Sequence, residues 1–517
     1  MNSSSTASTN PDYRGLSVYF KPPVLNMLFF GFAAGLPILL IFSSLSLWLR
    51  EAGVSRSMVT YFSWAALGYS FKFIWAPLVD RMPLPFLSKF LGRRRGWLLL
   101  SQLAVIASII GMAMVDPAEG GNILMYMAIG AVALGFSSAT QDVVLDAYRI
   151  EAAPVDLQAL MSATYIAGYR LGMIVAGAGA IYLAEKLGST SEHYSYIAWQ
   201  KSYLIMAACM FIGVVCTLCI SEPRSNAAVL NSDYSAQDYL RFTGLFLVLV
   251  SVFVLSLTQL NQFFPMMQSY FSLEDTPLMS FSLGMMKMFM TFLLVGYTGR
   301  LLLLSGVVNR EMVHGSYVAP VKEFFERYGV SIAFLLLALI GFYRISDIVL
   351  GVIANVFYQD LGFDKTTIAG VVKTFGVIMT ILGGFLGGHL SIRFGVMRVL
   401  LWGAILSALT NILFILLANM GQDLTMLYVV ISADNLSAGL ATAAFVAFLS
   451  SLVNVSFTAT QYAIFSSLMT LLPKLFGGYS GTIVDQFGYE SFFMLTTLMG
   501  IPVIALVILA DKALKTK

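Results

Sequence analysis

The sequence predicts an all-α polytopic membrane protein: two six-helix bundles plus two extra central transmembrane helices, fourteen spans in all. Three observations carry this. Of 517 residues, 58% are hydrophobic and 11% charged, with a mean hydropathy of +0.82; a soluble domain holds roughly 45–50% apolar and about 25% charged residues. No globular core hides that much apolar side chain, because surface grows too fast with size. The apolar residues come in blocks of about twenty or more, the length that crosses a hydrocarbon layer of ~30 Å. Finally, basic turns recur at matching places in the two halves of the chain.

The elements follow in order. Residues 1–22 are Ser-, Thr- and Asn-rich without an apolar core, and read as a disordered cytoplasmic tail, not a signal peptide. An N-terminal six-helix bundle spans 23–222, with apolar blocks at about 24–49, 58–79, 96–115, 122–147, 157–184 and 202–220. A linker at 223–328 holds two more blocks, at about 240–263 and 281–308. The C-terminal bundle at 329–511 has blocks at about 331–358, 366–390, 397–418, 425–452, 457–483 and 491–511, and 512–517 is a short cytoplasmic tail. An even count puts both termini on one side. With the termini inside, cytoplasmic segments hold eighteen of the 30 Lys and Arg and the opposite loops hold five. Cationic loops stay inside, which sets the orientation.

Two strings mark the repeat. After the second span comes PLVDRMPLPFLSKFLGRRRGW (77–97), and after its counterpart comes GGHLSIRFGVMRVL (387–400). Each sets Arg and Gly in a short turn between spans two and three of its half. Asp80, Arg81, Arg93, Arg94, Arg95, Arg393 and Arg398 are the candidate gating-loop residues. Pairs of Gly four apart (Gly31/Gly35, Gly168/Gly172, Gly383/Gly387, Gly384/Gly388, Gly477/Gly481) suit close helix packing. Gly35 is singled out because Pro37, two residues on, removes a helix bond and favours a bend beside the cavity.

A charge at the bilayer centre costs at least ~2.5 kcal/mol and normally faces protein or water. The fourth span carries Asp142 and Asp146 in SSATQDVVLDAY (137–148), one turn apart on a face with Ala139 and next to Gln141. Two carboxylates so close in low dielectric resist ionising together, the property a proton carrier needs. Asp146, with Arg149 three residues on, is expected in an ion pair, leaving Asp142 as the proton carrier. Arg170 lies in the fifth span, Arg344 and Asp347 share a face of the first span of the second half, Lys373 follows in the next, and Asp434 and Asn435 come two spans later. The candidate substrate-binding set is Gly35, Ala139, Gln141, Arg170, Arg344, Asp347, Lys373, Asp434 and Asn435. Arg forks bind carboxylates with paired hydrogen bonds, so three bases in the core suit a polar, anionic cargo. The competing reading of each base is an interhelical ion pair that locks the bundle.

The repeat with its Gly- and Arg-rich turns resembles the major facilitator superfamily. GFAAGLP (31–37), YSFKFIWAPLVDR (69–81), GRRRGWLL (92–99), SSATQDVVLDAY (137–148), GYRLGM (168–173), YRISDIVLG (343–351), GFDKTTIAGVVKTFG (362–376) and FTATQYAIFSS (457–467) resemble, in order, the AmpG-type muropeptide permeases of that superfamily. The resemblance implies spans one and four of each bundle lining a central cavity. It also implies a Gram-negative inner-membrane importer of GlcNAc-1,6-anhydroMurNAc peptides, driven by proton symport. Such an importer serves cell-wall recycling and the signal for β-lactamase induction, and through it antibiotic resistance. One feature departs from the family: well-known members carry their extra pair of spans at the C-terminus, and here the pair sits between the halves.

Other classes fit less well. A formal charge of +3 gives no polyanion-binding surface, so no nucleic-acid partner is expected. The three cysteines, Cys209, Cys216 and Cys219, share one apolar stretch and read as core residues, neither metal ligands nor a disulfide. No catalytic motif of the HExxH, GxxxxGK or GxSxG type is present, which argues against an enzyme. No metal or cofactor is expected beyond the proton gradient, and the protein should be a monomer in its bilayer. A symporter of another peptide or sugar is the nearest alternative, and a drug-efflux antiporter a more distant one, since its cavity should be mostly apolar.

Overall fold

The computed structural model describes residues 16–54, 62, 69, 71–154, 157–190, 193–223, 234–270, 277–364, 367–477 and 480–516. Among the described residues no strand occurs, and thirteen helices are long and apolar enough to cross a membrane. They are α1 (Pro22–Glu51), α2 (Arg93–Ala113), α3 (Gly121–Ala152), α4 (Gln158–Lys186), α5 (Tyr196–Cys219), α6 (Gln237–Phe264), α7 (Ser282–Leu304), α8 (Val330–Asp360), α9 (Gly370–Phe394), α10 (Val396–Met420), α11 (Leu424–Leu452), α12 (Val455–Pro473) and α13 (Ile483–Lys515). Each matches an expected span. The remaining one, expected at 58–79, lies largely outside the described residues; its end is the turn Lys72–Ile74 followed by the helix Ala76–Arg81.

The repeat is visible in the turns. Gly53 (φ 84°) and Gly362 (φ 91°) end the first helix of each half in the left-handed region. In both turns the next residue bonds back five positions, Val54 to the Leu49 carbonyl and Phe363 to the Tyr358 carbonyl, a closure that a left-handed glycine makes possible. Gly92 (φ 89°) and Gly395 (φ 88°) likewise open α2 and α10.

Glycine also sets the packing. A Cβ on Gly31 or Gly35 of α1 would lie 2.1 or 2.0 Å from the Tyr165 or Tyr169 carbonyl oxygen of α4. Reciprocally, one on Gly168 or Gly172 would lie 2.0 or 2.2 Å from the Leu28 or Phe32 carbonyl oxygen. In the second half, a Cβ on Gly383 or Gly387 of α9 would lie 2.1 or 2.6 Å from the Leu436 or Leu440 carbonyl oxygen of α11. One residue further round α9, a Cβ on Gly388 would lie 3.1 Å from the Ala159 carbonyl oxygen of α4, so α9 joins the two halves as well. Gly481 has nothing within 4 Å, so the Gly477/Gly481 pair makes no such seam.

Two local expectations shift. The break in α1 falls at Phe42 (φ −97°, ψ −87°), five residues beyond Pro37. It adjoins Ser43 and Ser44, a serine pair of the kind that kinks helices, and the Ser44 hydroxyl bonds the Ala176 carbonyl at 2.7 Å. The tail expected to be disordered up to residue 22 is ordered from Leu16: Leu16–Phe20 forms a 3-10 turn, because Val18 buries fully among Val24 and Met27 and Tyr19 packs edge-on against Phe385. Residues 1–15 lie outside the described set.

The central helix pair sits against the flank of the N-terminal bundle. Phe242, Leu245, Phe246 and Phe253 of α6 bury against Phe71, Trp75 and Ala139, while α7 leaves Met286, Phe289 and Tyr297 exposed. The following segment is tied to the N-terminal half by Tyr317, whose hydroxyl donates to the Ile74 carbonyl (2.9 Å), and by Arg81, which donates to the Gly315 carbonyl (3.0 Å). The helix Ala319–Tyr328 then accepts from Gln461 of α12 through Pro320 and Glu323.

The α1–α4 seam gives a direct test. Gly168→Ala forces the helices apart and should cost about 1–3 kcal/mol, the usual range for overpacking. Gly481→Ala, with open space around it, should be neutral. Thermal unfolding of the two purified variants in detergent checks this; equal melting temperatures would refute the seam.

Candidate functional site

Charge in the N-terminal half gathers on α3. Asp146 pairs with Lys72 (3.5 Å) and with Arg149 (3.4 Å), and its side chain keeps 17% of its surface exposed. The ion pair expected between Asp146 and Arg149 is therefore present. Asp142 accepts from the Tyr165 hydroxyl at 3.4 Å and lies within electrostatic range of Lys72 and Asp146. Lys72 was not singled out from the sequence as a site residue. The signal was there, a cation inside the apolar run YSFKFIW (69–75), subject to the same rule that picked out Arg170.

In the C-terminal half, α8 is interrupted at Tyr343–Arg344, between helical segments Val330–Phe342 and Ile345–Asp360. Arg344 Nε stands 3.3 Å from Asp347 Oδ2, and Nη1 donates to the Thr442 hydroxyl of α11 at 2.8 Å. Asp434, half-buried on α11, is within electrostatic range of Asp347 and Arg344. Arg170 of α4 makes no ion pair among the described residues; its Nη1 lies 3.9 Å from the Met173 sulfur.

Other candidates stand elsewhere. Gly35 is buried in the α1–α4 seam, where its missing side chain lets backbones meet, and offers no surface to a cargo. Ala139 is fully buried in the cluster that Trp75 forms with Phe242 and Phe246 of α6, and its methyl group serves packing there. Gln141 is also fully buried, with neither amide atom hydrogen-bonded. The Asn435 amide is occupied in the contact with α9, accepting from Thr380 (3.0 Å) and donating to the Ile431 carbonyl (3.0 Å). Lys373 is exposed on a π-helical turn, Ile368–Phe375, at the start of α9. Among the described residues no group of His, Cys, Asp or Glu is placed to hold a metal, and the three cysteines are free.

The first basic turn builds a lock between the halves. Arg94, 1% exposed, reaches Asp80 (2.8 Å) and Glu151 (2.6 Å). Arg93 donates to the Asp80 carbonyl, and the backbone N–H groups of Arg94 and Arg95 bond Glu222 (2.8 and 3.0 Å). The Asp80 carboxylate in turn accepts from the Ala459 and Thr460 N–H groups and the Thr460 hydroxyl (3.0, 2.7 and 2.7 Å), capping the start of α12 across the divide. Burial pushes the Asp80 carboxyl up, but the Arg94 and Arg93 guanidiniums and the Thr460 hydroxyl outweigh it and hold it below its ordinary value. Arg81 lies over the Phe457 ring, also across the divide. The second turn builds no such lock: Arg393 and Arg398 are exposed, and the residue before Arg393 is Ile392 where the residue before Arg81 is Asp80.

The chain resembles known proteins along most of its length. The model of the Major Facilitator Superfamily matches residues 27–310 and 330–517. A protein of Rickettsia conorii named transporter AmpG 4 is 30% identical over 91% of this chain and 92% of its own. The anhydromuropeptide permease of Escherichia coli K12 is 28% identical over 97% of this chain and 82% of its own. Among solved structures, the proton:xylose symporter XylE superposes with a TM-score of 0.61 at 14% identity, covering 95% of each chain, a likeness of fold. Since these matches run through both halves and take in the lock and the charged helices alike, the chain belongs to the Major Facilitator Superfamily and, within it, to the AmpG-type permeases.

Proposed function

We propose that this membrane transporter imports anhydromuropeptides from periplasm to cytoplasm by proton symport, across a Gram-negative inner membrane with both termini cytoplasmic. The imported fragments then serve cell-wall recycling and, where a responsive regulator exists, β-lactamase induction. The observation that carries the reading is charge on membrane helices of both halves: Asp146 with Lys72 and Arg149 in one, Arg344 with Asp347 in the other, and Arg170 in no ion pair among the described residues. A muropeptide carries several carboxylates, which guanidinium forks such as Arg170 and Arg344 suit. The Escherichia coli relative, named for anhydromuropeptide transport, supports the same substrate class. Asp142 and Asp146 on α3 supply the proton site. A lipophilic-drug exporter is disfavoured by the charge on these helices.

Uptake of a labelled anhydromuropeptide into cells lacking their own importer tests the whole reading. Accumulation should collapse when a protonophore is added. Uptake unchanged by the protonophore would exclude symport.

Asp142 and Asp146 should separate. Asp142→Asn should abolish accumulation against a gradient while sparing exchange at equal concentrations, because Asp142 has no cation in direct contact. Asp146→Asn should impair both, because Lys72 and Arg149 lose their shared anion. Reconstituted vesicles assayed for counterflow and for net uptake distinguish them, and the assignment fails if Asp142→Asn still concentrates substrate.

Arg344→Lys keeps charge but loses the planar fork. A charge-assisted hydrogen bond is worth about 1.5–3 kcal/mol, so KM for uptake should rise roughly tenfold or more. Wild-type KM in both Arg344→Lys and Arg170→Lys would leave these arginines as structural charges only.

A further inference from the structure

Asp146 is shared by two cations, and one of them also touches the other half of the molecule. Arg149 is 1% exposed. Its Nη2 faces Asp146 at 3.4 Å, while Nη1 donates to Gln158 Oε1 (3.1 Å), the Ser162 hydroxyl (3.3 Å) and, across the divide, the Ser450 hydroxyl of α11 (2.8 Å). The guanidinium also lies over the ring of Tyr462 of α12, 5.2 Å from its centroid. One side chain therefore joins the acid pair to α11 and α12.

The surroundings narrow what can balance this charge. On its own helix Arg149 has Asp142 and Asp146, and Glu151 is engaged with Arg94. From the turn before the helix Ala76–Arg81 comes Lys72, which competes for Asp146. From α4 come Tyr165, Gln158 and Ser162, from α11 Ser450, and from α12 Tyr462. Asp146 is the single carboxylate within ion-pair distance of Arg149 among the described residues.

We propose that Arg149 is a positioning residue that transmits the charge on the Asp142–Asp146 pair to the contact between the two halves, so that a proton on the pair loosens this end of the molecule. The proposal deepens the symport reading and rests on it. With both acids ionised, two anions balance Lys72 and Arg149. A proton from water on a carboxylate oxygen of Asp142 leaves Asp146 as the one anion between two cations, and Asp146 drawn toward Lys72 releases Arg149. A buried guanidinium without its anion is strongly disfavoured, and it is relieved by moving toward water, away from Ser450 and Tyr462. The Asp80 lock, held by Arg94, shares no residue with the acid pair, so the signal passes through Arg149.

The test uses the full chain in lipid nanodiscs, with Cys209, Cys216 and Cys219 replaced and spin labels at Lys89 and Lys512, two exposed sites at this end of opposite halves. Double electron–electron resonance reads the distance between them at alkaline and acidic pH, without substrate or gradient. Acidification should raise the fraction at long distance by at least ~5-fold, the lower end of ordinary site-to-site coupling. Asp146→Asn should show the long distance at both pH values, and Arg149→Gln should lose the pH response. Ser450→Ala, the milder change, should raise the long-distance fraction at both pH values and keep the response. A wild-type pH response in Arg149→Gln overturns the proposal, as does the absence of any response in the unmutated chain. Should Arg149→Gln fail to fold, an unchanged distance distribution in Ser450→Ala overturns it. If uptake proves insensitive to a protonophore while Arg149→Gln still removes the pH response, the symport reading fails and the coupling stands.

Discussion

The close approach of helix backbones at glycine is the constraint on which the rest of the structure depends. In lipid there is no hydrophobic gain from pressing one apolar helix on another, so association rests on tight packing and polar contacts. Here carbonyl oxygens of α1 and α4 sit where a Cβ would otherwise be, and α9 does the same toward α11. The seams also position charge. Tyr169 and Arg170 follow Gly168 on α4, so the approach of α4 to α1 fixes where that guanidinium stands. On its other side α4 meets Gly388 of α9, which makes the same helix a joint between the halves.

Charge is distributed unevenly over this frame. Each half carries carboxylates with cations set against them, Lys72 and Arg149 around Asp146 and Arg344 beside Asp347, and Arg170 makes no ion pair among the described residues. Removing one partner of such a buried set costs more than the pair contributes, so binding a proton or an anionic group alters the balance locally. Contacts across the divide gather at the end where the basic turns lie: Asp80 with α12, Arg81 with Phe457, and Arg149 with Ser450 and Tyr462.

The two halves repeat in backbone and diverge in chemistry. Matching glycines turn the chain at 53 and 362 and again at 92 and 395, all with positive φ. Yet one turn is a lock and the other is solvent-exposed, because Asp80 has Ile392 as its counterpart. An isoleucine cannot accept the N–H groups of a facing helix start. Symmetry of fold therefore coexists with a single carboxylate cap of this kind across the halves among the described residues.

The sequence by itself determined the membrane class, thirteen of the spans seen, the repeat, the family and which membrane helices carry charge. These are properties of composition, of block length and of residues whose burial in lipid is costly, all written along the chain. Its misreadings share one cause. Gly35 and Ala139 sit on helices that carry site residues, but which face a helix turns to its neighbour depends on the partner helix, and both turned to packing. Lys72 was passed over because its partner lies some seventy residues away on α3. The break at Phe42 and the docking of Tyr19 likewise depend on Ala176 and Phe385, residues remote in the chain. What only the tertiary structure decided was which charges meet, and above all that Arg149 serves both Asp146 and Ser450: sequence spacing fixes neighbours on one helix, while contact across a divide is set by how whole helices pack.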